Sequence, residues 1–301
     1  RQRRPLWQAS PRRSAPAPRV FPLKDNIPTD RFPVVTVAII VICVAVFIWQ
    51  QPSGFATVND KKVVEYGAIP YEITHPGKHC ALGEAVTGGG TLIEGSGGES
   101  SKVVCEGQRV PTTEGEVTVK KVPGSQPNTW LTIFTAMFMH GGFLHIIGNM
   151  LFLWIFGNNV EDSMGPRRFI VFYLLGGIAA AALQVAVAAS SGNGETAPLI
   201  GASGAIAGVL GGYILLYPRA RVLTLVFIIF FVTLLELPAV VVLGLWFLQQ
   251  IYFGAAGLAD PTGGGGGVAY YAHIGGFAFG LIFIKLFAKR VKQIEPRIPV
   301  Y

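Results

Sequence analysis

Charge is scarce in this chain: Asp, Glu, Lys and Arg make up 14% of its 301 residues, against 51% apolar types. With a positive mean hydropathy, that shortage excludes a single soluble domain of this length and leaves a polytopic membrane protein. Cysteine is also rare. Of the three, Cys43 lies in an apolar run, whereas Cys80 and Cys105 share one polar loop and can pair if that loop faces an oxidising compartment. Acidic residues are absent from 198–217 and 268–288, two apolar segments that carry a serine and a histidine. Outside the residues discussed below, no pair of ligand-type side chains converges, so no metal and no cofactor is expected. The net charge of +7 does not point to nucleic acid, because the basic residues flank apolar spans and serve orientation in a bilayer.

Residues 1–31 hold eight Lys or Arg against two Asp, with several prolines and no apolar periodicity, which predicts a disordered basic cytoplasmic tail. A first span follows at 33–50, then a polar, glycine-rich insertion at 51–128. The insertion is too long for a plain connection, and β-prone pieces at 102–105 and 116–122 predict a small hairpin-like unit. The remaining core, 129–289, divides into spans at 144–156 (extended at its front by apolar 130–139), 169–189, 203–217, 237–253 and 268–288. Residues 157–168 read as a polar link, with Glu161 closing a helix end or pairing with Arg167 or Arg168. Between spans four and five, 222–235 reads as a re-entrant or interfacial segment on the cytoplasmic side. Six spans place both termini, including the tail at 290–301, in the cytoplasm. Of the 24 Lys and Arg, 17 then lie inside and the other seven in the long first loop, which translocates regardless of charge.

Within this frame the polar groups are few and patterned. Ser203, in Gly201-Ala202-Ser203-Gly204, follows Pro198 and opens an apolar run, so it belongs at a helix N-terminus where unpaired N–H groups gather. Gly204, Gly208 and Gly212 share one face, as do His273, Gly276 and Gly280 of the last span. Two such small-residue ridges allow close helix packing. Packed so, His273 can take the proton of Ser203, a serine–histidine dyad. In His140-Gly-Gly-Phe-Leu-His145-Ile-Ile-Gly-Asn149, His145 and Asn149 are four apart and face the same way, suited to hold an oxyanion. His140 points elsewhere and reads as structural, through a loop or turn hydrogen bond.

Taken together, these motifs resemble the rhomboid family of intramembrane serine proteases, from about Trp130 to Lys289. The resemblance implies Ser203 as nucleophile, His273 as base, His145 and Asn149 as oxyanion residues, and Glu161 with Gly165 at the cytoplasmic end of the second span. His140, Gly201, Gly204, Gly276 and Gly280 are implied as structural support. The implied fold class is all-α: a six-transmembrane-helix bundle with a large extracytoplasmic first-loop insertion and a short fourth span. Three features depart from the family. Ala207 stands where some members place a tyrosine that stacks on the base, no Trp-Arg pair occurs in the first loop, and the insertion replaces a compact loop. With Ala207 there, His273 must be oriented by something else.

The resulting expectation is a serine endopeptidase that cuts transmembrane protein substrates near the outer end of a helix, among membrane lipids, in a bacterial cell membrane. A rhomboid-like chaperone or adaptor that binds transmembrane segments without cutting is the alternative; a small transporter is less suited to a serine at a helix start. Span five, joined to span six by the glycine run 263–267, is the expected lateral gate. Complete crosslinking of span five to span two should block turnover of transmembrane substrates; unchanged turnover would remove the gate.

Overall fold

The structure is a computed structural model and describes residues 19–51, 60–86, 90–94, 102–112, 115–123, 127–192, 195–228, 231–259 and 268–291. The expected tail at 1–18, the glycine run 263–267 and the last ten residues lie outside them. Among the described residues, β1 (Arg19–Asp25) leads into α1 (Val34–Gln50). The insertion forms α2 (Asp60–Tyr66), α3 (Pro70–Thr74) and β2 to β6 (Cys80–Val86, Leu92–Glu94, Lys102–Cys105, Arg109–Thr112, Gly115–Thr118). The core then runs α4 (Thr129–Ala136), α5 (Phe143–Phe152), a π-helical turn (Leu153–Gly157) and α6 (Asn158–Met164). It continues through α7 (Pro166–Ser191), α8 (Ser203–Leu216), the hairpin β7 (Arg221–Ile228) and β8 (Phe231–Pro238), α9 (Ala239–Ala259) and α10 (Tyr270–Phe287).

Among the described residues, four helices are long and apolar enough to cross a membrane: 143–164, 166–191, 239–258 and 270–287. α1 and α8 are apolar but shorter. The protein is therefore a mostly helical integral membrane protein, its outer helices studded with exposed Val41, Ile48, Leu245, Leu248, Ile282 and Leu286. The all-α expectation is corrected by three sheets among the described residues, ordered β1-β7-β8, β3-β2-β4 and β5-β6. Two of these arise in the insertion, where β2 and β4 place Cys80 directly opposite Cys105 and a disulfide joins them.

The third sheet bears on two expectations. Segment 222–235, expected as a re-entrant or interfacial piece, takes the form of a hairpin: its β-branched and aromatic residues pair Val222 with Leu237 and Leu225 with Leu234. Its open edge on β7 is filled by β1, with Pro22 opposite Thr224 and Asp25 opposite Val222. The tail is thus ordered from Arg19 onward, because an edge strand offers it backbone partners that charge and proline counts do not reveal.

The second span also differs. The front of that stretch is a separate short helix, α4, which ends at Ala136 and is capped by Asn128 Oδ1 on the Trp130 N–H at 2.9 Å; non-helical residues that include Gly141 and Gly142 precede the start of α5. At its far end the helix continues to Met164, so 157–168 is no link; the break is Gly165, at φ +83°, followed by Pro166 in the first turn of α7. Glu161 does close a helix end, though not its own. Its carboxylate accepts from the N–H groups of Val35 (3.0 Å) and Thr36 (2.8 Å) and from Thr36 Oγ1 (2.8 Å), capping α1. Neighbouring Asp162 pairs with Arg290 just after α10 and accepts from the Asp30 N–H at 3.0 Å. Asp25 enters the same end of the bundle, accepting from Tyr213 Oη at 2.6 Å and Asn159 Nδ2 at 2.7 Å. Burial pushes its carboxyl above the usual range despite those hydrogen bonds.

The bundle centre is set by α8 and α10. A Cβ on Gly276 would overlap the Gly204 carbonyl, and one on Gly280 would overlap that of Gly208, so the two glycine ridges meet backbone to backbone. Gly276→Ala should therefore destabilise the bundle by about 1–3 kcal/mol through overpacking, read as a lower thermal midpoint in detergent. Gly257→Ala, where a Cβ meets nothing within 4 Å, should hold or raise the midpoint, since Ala is favoured over Gly in a helix by about 0.5–1 kcal/mol.

Candidate active site

Ser203 is the first residue of α8. At 14 residues and 1.5 Å per residue, α8 reaches about 21 Å, short of the roughly 30 Å of a hydrocarbon core. The segment ahead of α8 is tied down from three places. Tyr71 N–H donates to Glu195 O at 2.8 Å, Ala68 and Leu199 exchange backbone bonds, and Gly201 N–H donates to Ala136 O at 2.8 Å. The insertion thus braces the approach to the serine. Gly201 has φ +120°, and a Cβ there would sit 2.8 Å from His145 Nε2, so glycine is required on both counts.

His273 lies in the first turn of α10. Its Nε2 and Ser203 Oγ are hydrogen-bonded at 2.8 Å, a geometry made possible by the glycine contact just below. Its Nδ1 is hydrogen-bonded at 2.8 Å to Oε1 of Gln250, on α9. The ring of Trp246, one turn earlier on α9, lies 5.6 Å from the imidazole, centroid to centroid, at 38°. α7 closes another side, with Gln184 Oε1 accepting from the Ala272 N–H at 3.2 Å.

His145 and Asn149 face the same space from α5. The Gly141 N–H donates to His145 Nδ1 at 3.2 Å, which makes Nδ1 an acceptor and leaves the Nε2–H free to donate. Asn149 Nδ2 is buried and has no hydrogen-bond partner among the described residues. Both side chains, with Ser203, His273, Gln184 and Trp246, line one cavity of about 760 Å³. A buried amide without a partner, beside a serine hydroxyl at a helix start, can receive a developing negative oxygen. His140 lines none of this cavity. Its ring packs edge-on against His145 at 5.2 Å, and the hydrogen bond at this residue is made by its backbone N–H to Gln50 Oε1 at 3.1 Å.

An integral membrane bundle with a serine–histidine pair inside it defines a narrow class. A family model described as Rhomboid domain matches residues 127–290, more than half of the chain, and the protein belongs to the rhomboid family. Among its relatives, "Rhomboid protein 1, mitochondrial" of Saccharomyces cerevisiae is 31% identical over 169 residues, which are 56% of this chain and 44% of that protein. "RHOMBOID-like protein 12, mitochondrial" of Arabidopsis thaliana is 28% identical over 163 residues, 50% of this chain and 44% of that protein. "Rhomboid protease GluP" of Bacillus subtilis is 35% identical over 82 residues, 27% of this chain and 15% of that protein. The matched stretch thus spans less than half the length of each of these relatives. Because they include mitochondrial as well as bacterial proteins, the expected bacterial cell membrane draws no support from them.

Gln250 and Trp246 carry no motif. The one signal in the sequence is the amide itself: polar side chains inside a span are rare and face protein or a water-filled cavity. If Asn149 Nδ2 holds the oxyanion, Asn149→Ala should lower kcat about 100- to 1,000-fold with little change in KM, measured on any cleaved substrate; an equal loss confined to KM would place Asn149 in substrate binding instead.

Proposed function

We propose that this protein is an intramembrane serine endopeptidase of the rhomboid type, working through a Ser203–His273 dyad. The observation that carries the reading is the 2.8 Å hydrogen bond between Ser203 Oγ and His273 Nε2, at the wall of a cavity also lined by His145 and Asn149. As Oγ attacks a backbone carbonyl carbon, its proton passes to His273 Nε2. The oxyanion takes hydrogen bonds from Asn149 Nδ2, His145 Nε2–H and the Ser203 N–H. His273 then protonates the departing amine, and water, deprotonated by the same nitrogen, releases the acyl group from Ser203.

In this reading the chain crosses the membrane six times, through α1, α5 with α6, α7, α8, α9 and α10, with both termini on the basic, cytoplasmic side and the insertion outside. Substrates are transmembrane segments whose carbonyls become attackable where small or helix-breaking residues unwind them. They reach the cavity between α5 and α9, which line it through Leu144, Gly148 and Phe152 on one side and Trp246 on the other. Membrane lipids surround the same helices. No cofactor takes part in any step.

Labelling the purified protein in detergent with a fluorophosphonate probe tests the dyad. Wild type should label, and both Ser203→Ala and His273→Ala should lose labelling. Absence of labelling in folded wild type would replace the protease with a rhomboid-like adaptor that binds transmembrane segments without cutting them.

A further inference from the structure

The imidazole of His273 can act as a base only if Nε2, the nitrogen facing Ser203, carries no proton, yet neither α8 nor α10 holds an acidic residue to enforce that. We infer that Gln250 is the positioning residue that fixes this tautomer. The inference rests on the protease reading above and deepens it.

The argument follows from which end of the Gln250 amide faces the ring. Its Nε2 donates to the Trp246 carbonyl, one turn back on α9, at 3.2 Å, while its Oε1 lies 2.8 Å from His273 Nδ1. Turning the amide over would set two oxygens against each other at Trp246, so the network selects the orientation with oxygen toward the ring. An amide oxygen only accepts. Nδ1 must therefore carry the proton, Nε2 is left with its lone pair, and that lone pair meets the Ser203 hydroxyl at 2.8 Å. Gln250 is 5% exposed, so water does not compete for Nδ1 from the α9 side. The Trp246 ring against the imidazole restricts ring rotation as well.

In a Ser-His-Asp triad a buried carboxylate does this work. A neutral amide performs the same orientation without burying an anion, which inside a membrane costs more than burying a dipole. It also supplies what Ala207 leaves undone, since a methyl group offers no ring to stack on the base. Because the acceptor sits on α9, the helix on the entry side of the cavity, outward movement of α9 would take the acceptor away from the base.

Selective nitrogen-15 labelling of the five histidines in detergent-solubilised protein reads the tautomer directly, with His273→Ala assigning the resonances. Among the described residues, the titratable group near His273 is His145 of α5. Ser203 of α8 and Gln184 of α7 do not titrate, so the spectrum is taken where both imidazoles are neutral. Wild type should show a protonated Nδ1 and an unprotonated Nε2 at His273. Gln250→Met, close in volume but without an acceptor, should populate the other tautomer and slow fluorophosphonate labelling at least about tenfold. A protonated Nε2 in wild type would overturn the inference whatever the variant does, even if the variant fails to fold. So would an unchanged spectrum and labelling rate in folded Gln250→Met. A protonated Nδ1 together with complete absence of Ser203 labelling would uphold the hydrogen bond and remove the protease reading.

Discussion

Everything in the site depends on how closely α8 and α10 approach. Gly204 against Gly276, and Gly208 against Gly280, bring backbone onto backbone with no room for a methyl group. In lipid no hydrophobic force drives two apolar helices together, so contact area and shape must do it, and small residues make both possible. One turn above that contact, the serine and histidine are left at hydrogen-bond distance. With a side chain at Gly276, the serine and the histidine would separate before any local feature of either residue changed.

The polar groups around this seam show a shared economy. Glu161 spends its carboxylate on the N-terminus of α1, Asp162 holds Arg290 past the end of α10, and Asp25 is satisfied by Tyr213 and Asn159. These bonds gather the segment before α1, the residues just after α10 and the β1-β7-β8 sheet at one end of the bundle. At the opposite end, hydrogen bonds from the insertion and α4 hold residues 195–201. α8 is thereby fixed at both ends. Of the buried side-chain groups left without a partner among the described residues, the Asn149 amide nitrogen lines the cavity beside Ser203 and His273.

Much of this was legible in the chain because membrane helices announce themselves by length and composition, and because glycine at every fourth position encodes a packing face. Ser203 does open a helix, and the ridges of Gly204 and Gly276 do meet. Other features depended on partners remote in sequence. β1 is ordered only because β7 has a free edge nearly two hundred residues away. The independence of α4 turns on Gly141 and Gly142 interrupting an apolar run whose composition alone reads as continuous. Glu161 was recognisable as a helix-end residue, yet the helix it caps is α1, which no local pattern reveals. Gln250 is the clearest case. A lone amide in an apolar span has no motif, and its role appears only when the rotation of α9 places its oxygen against His273.

The most direct measurement is reconstitution of the wild-type chain and Ser203→Ala in proteoliposomes with reporter proteins carrying transmembrane segments that contain a helix-breaking residue near their outer end. Mass spectrometry then maps any cut. The account predicts cleavage within or next to the outer end of the reporter helix by wild type and none by Ser203→Ala. Reporters that bind wild type and emerge intact, or are cut equally by Ser203→Ala, would contradict it.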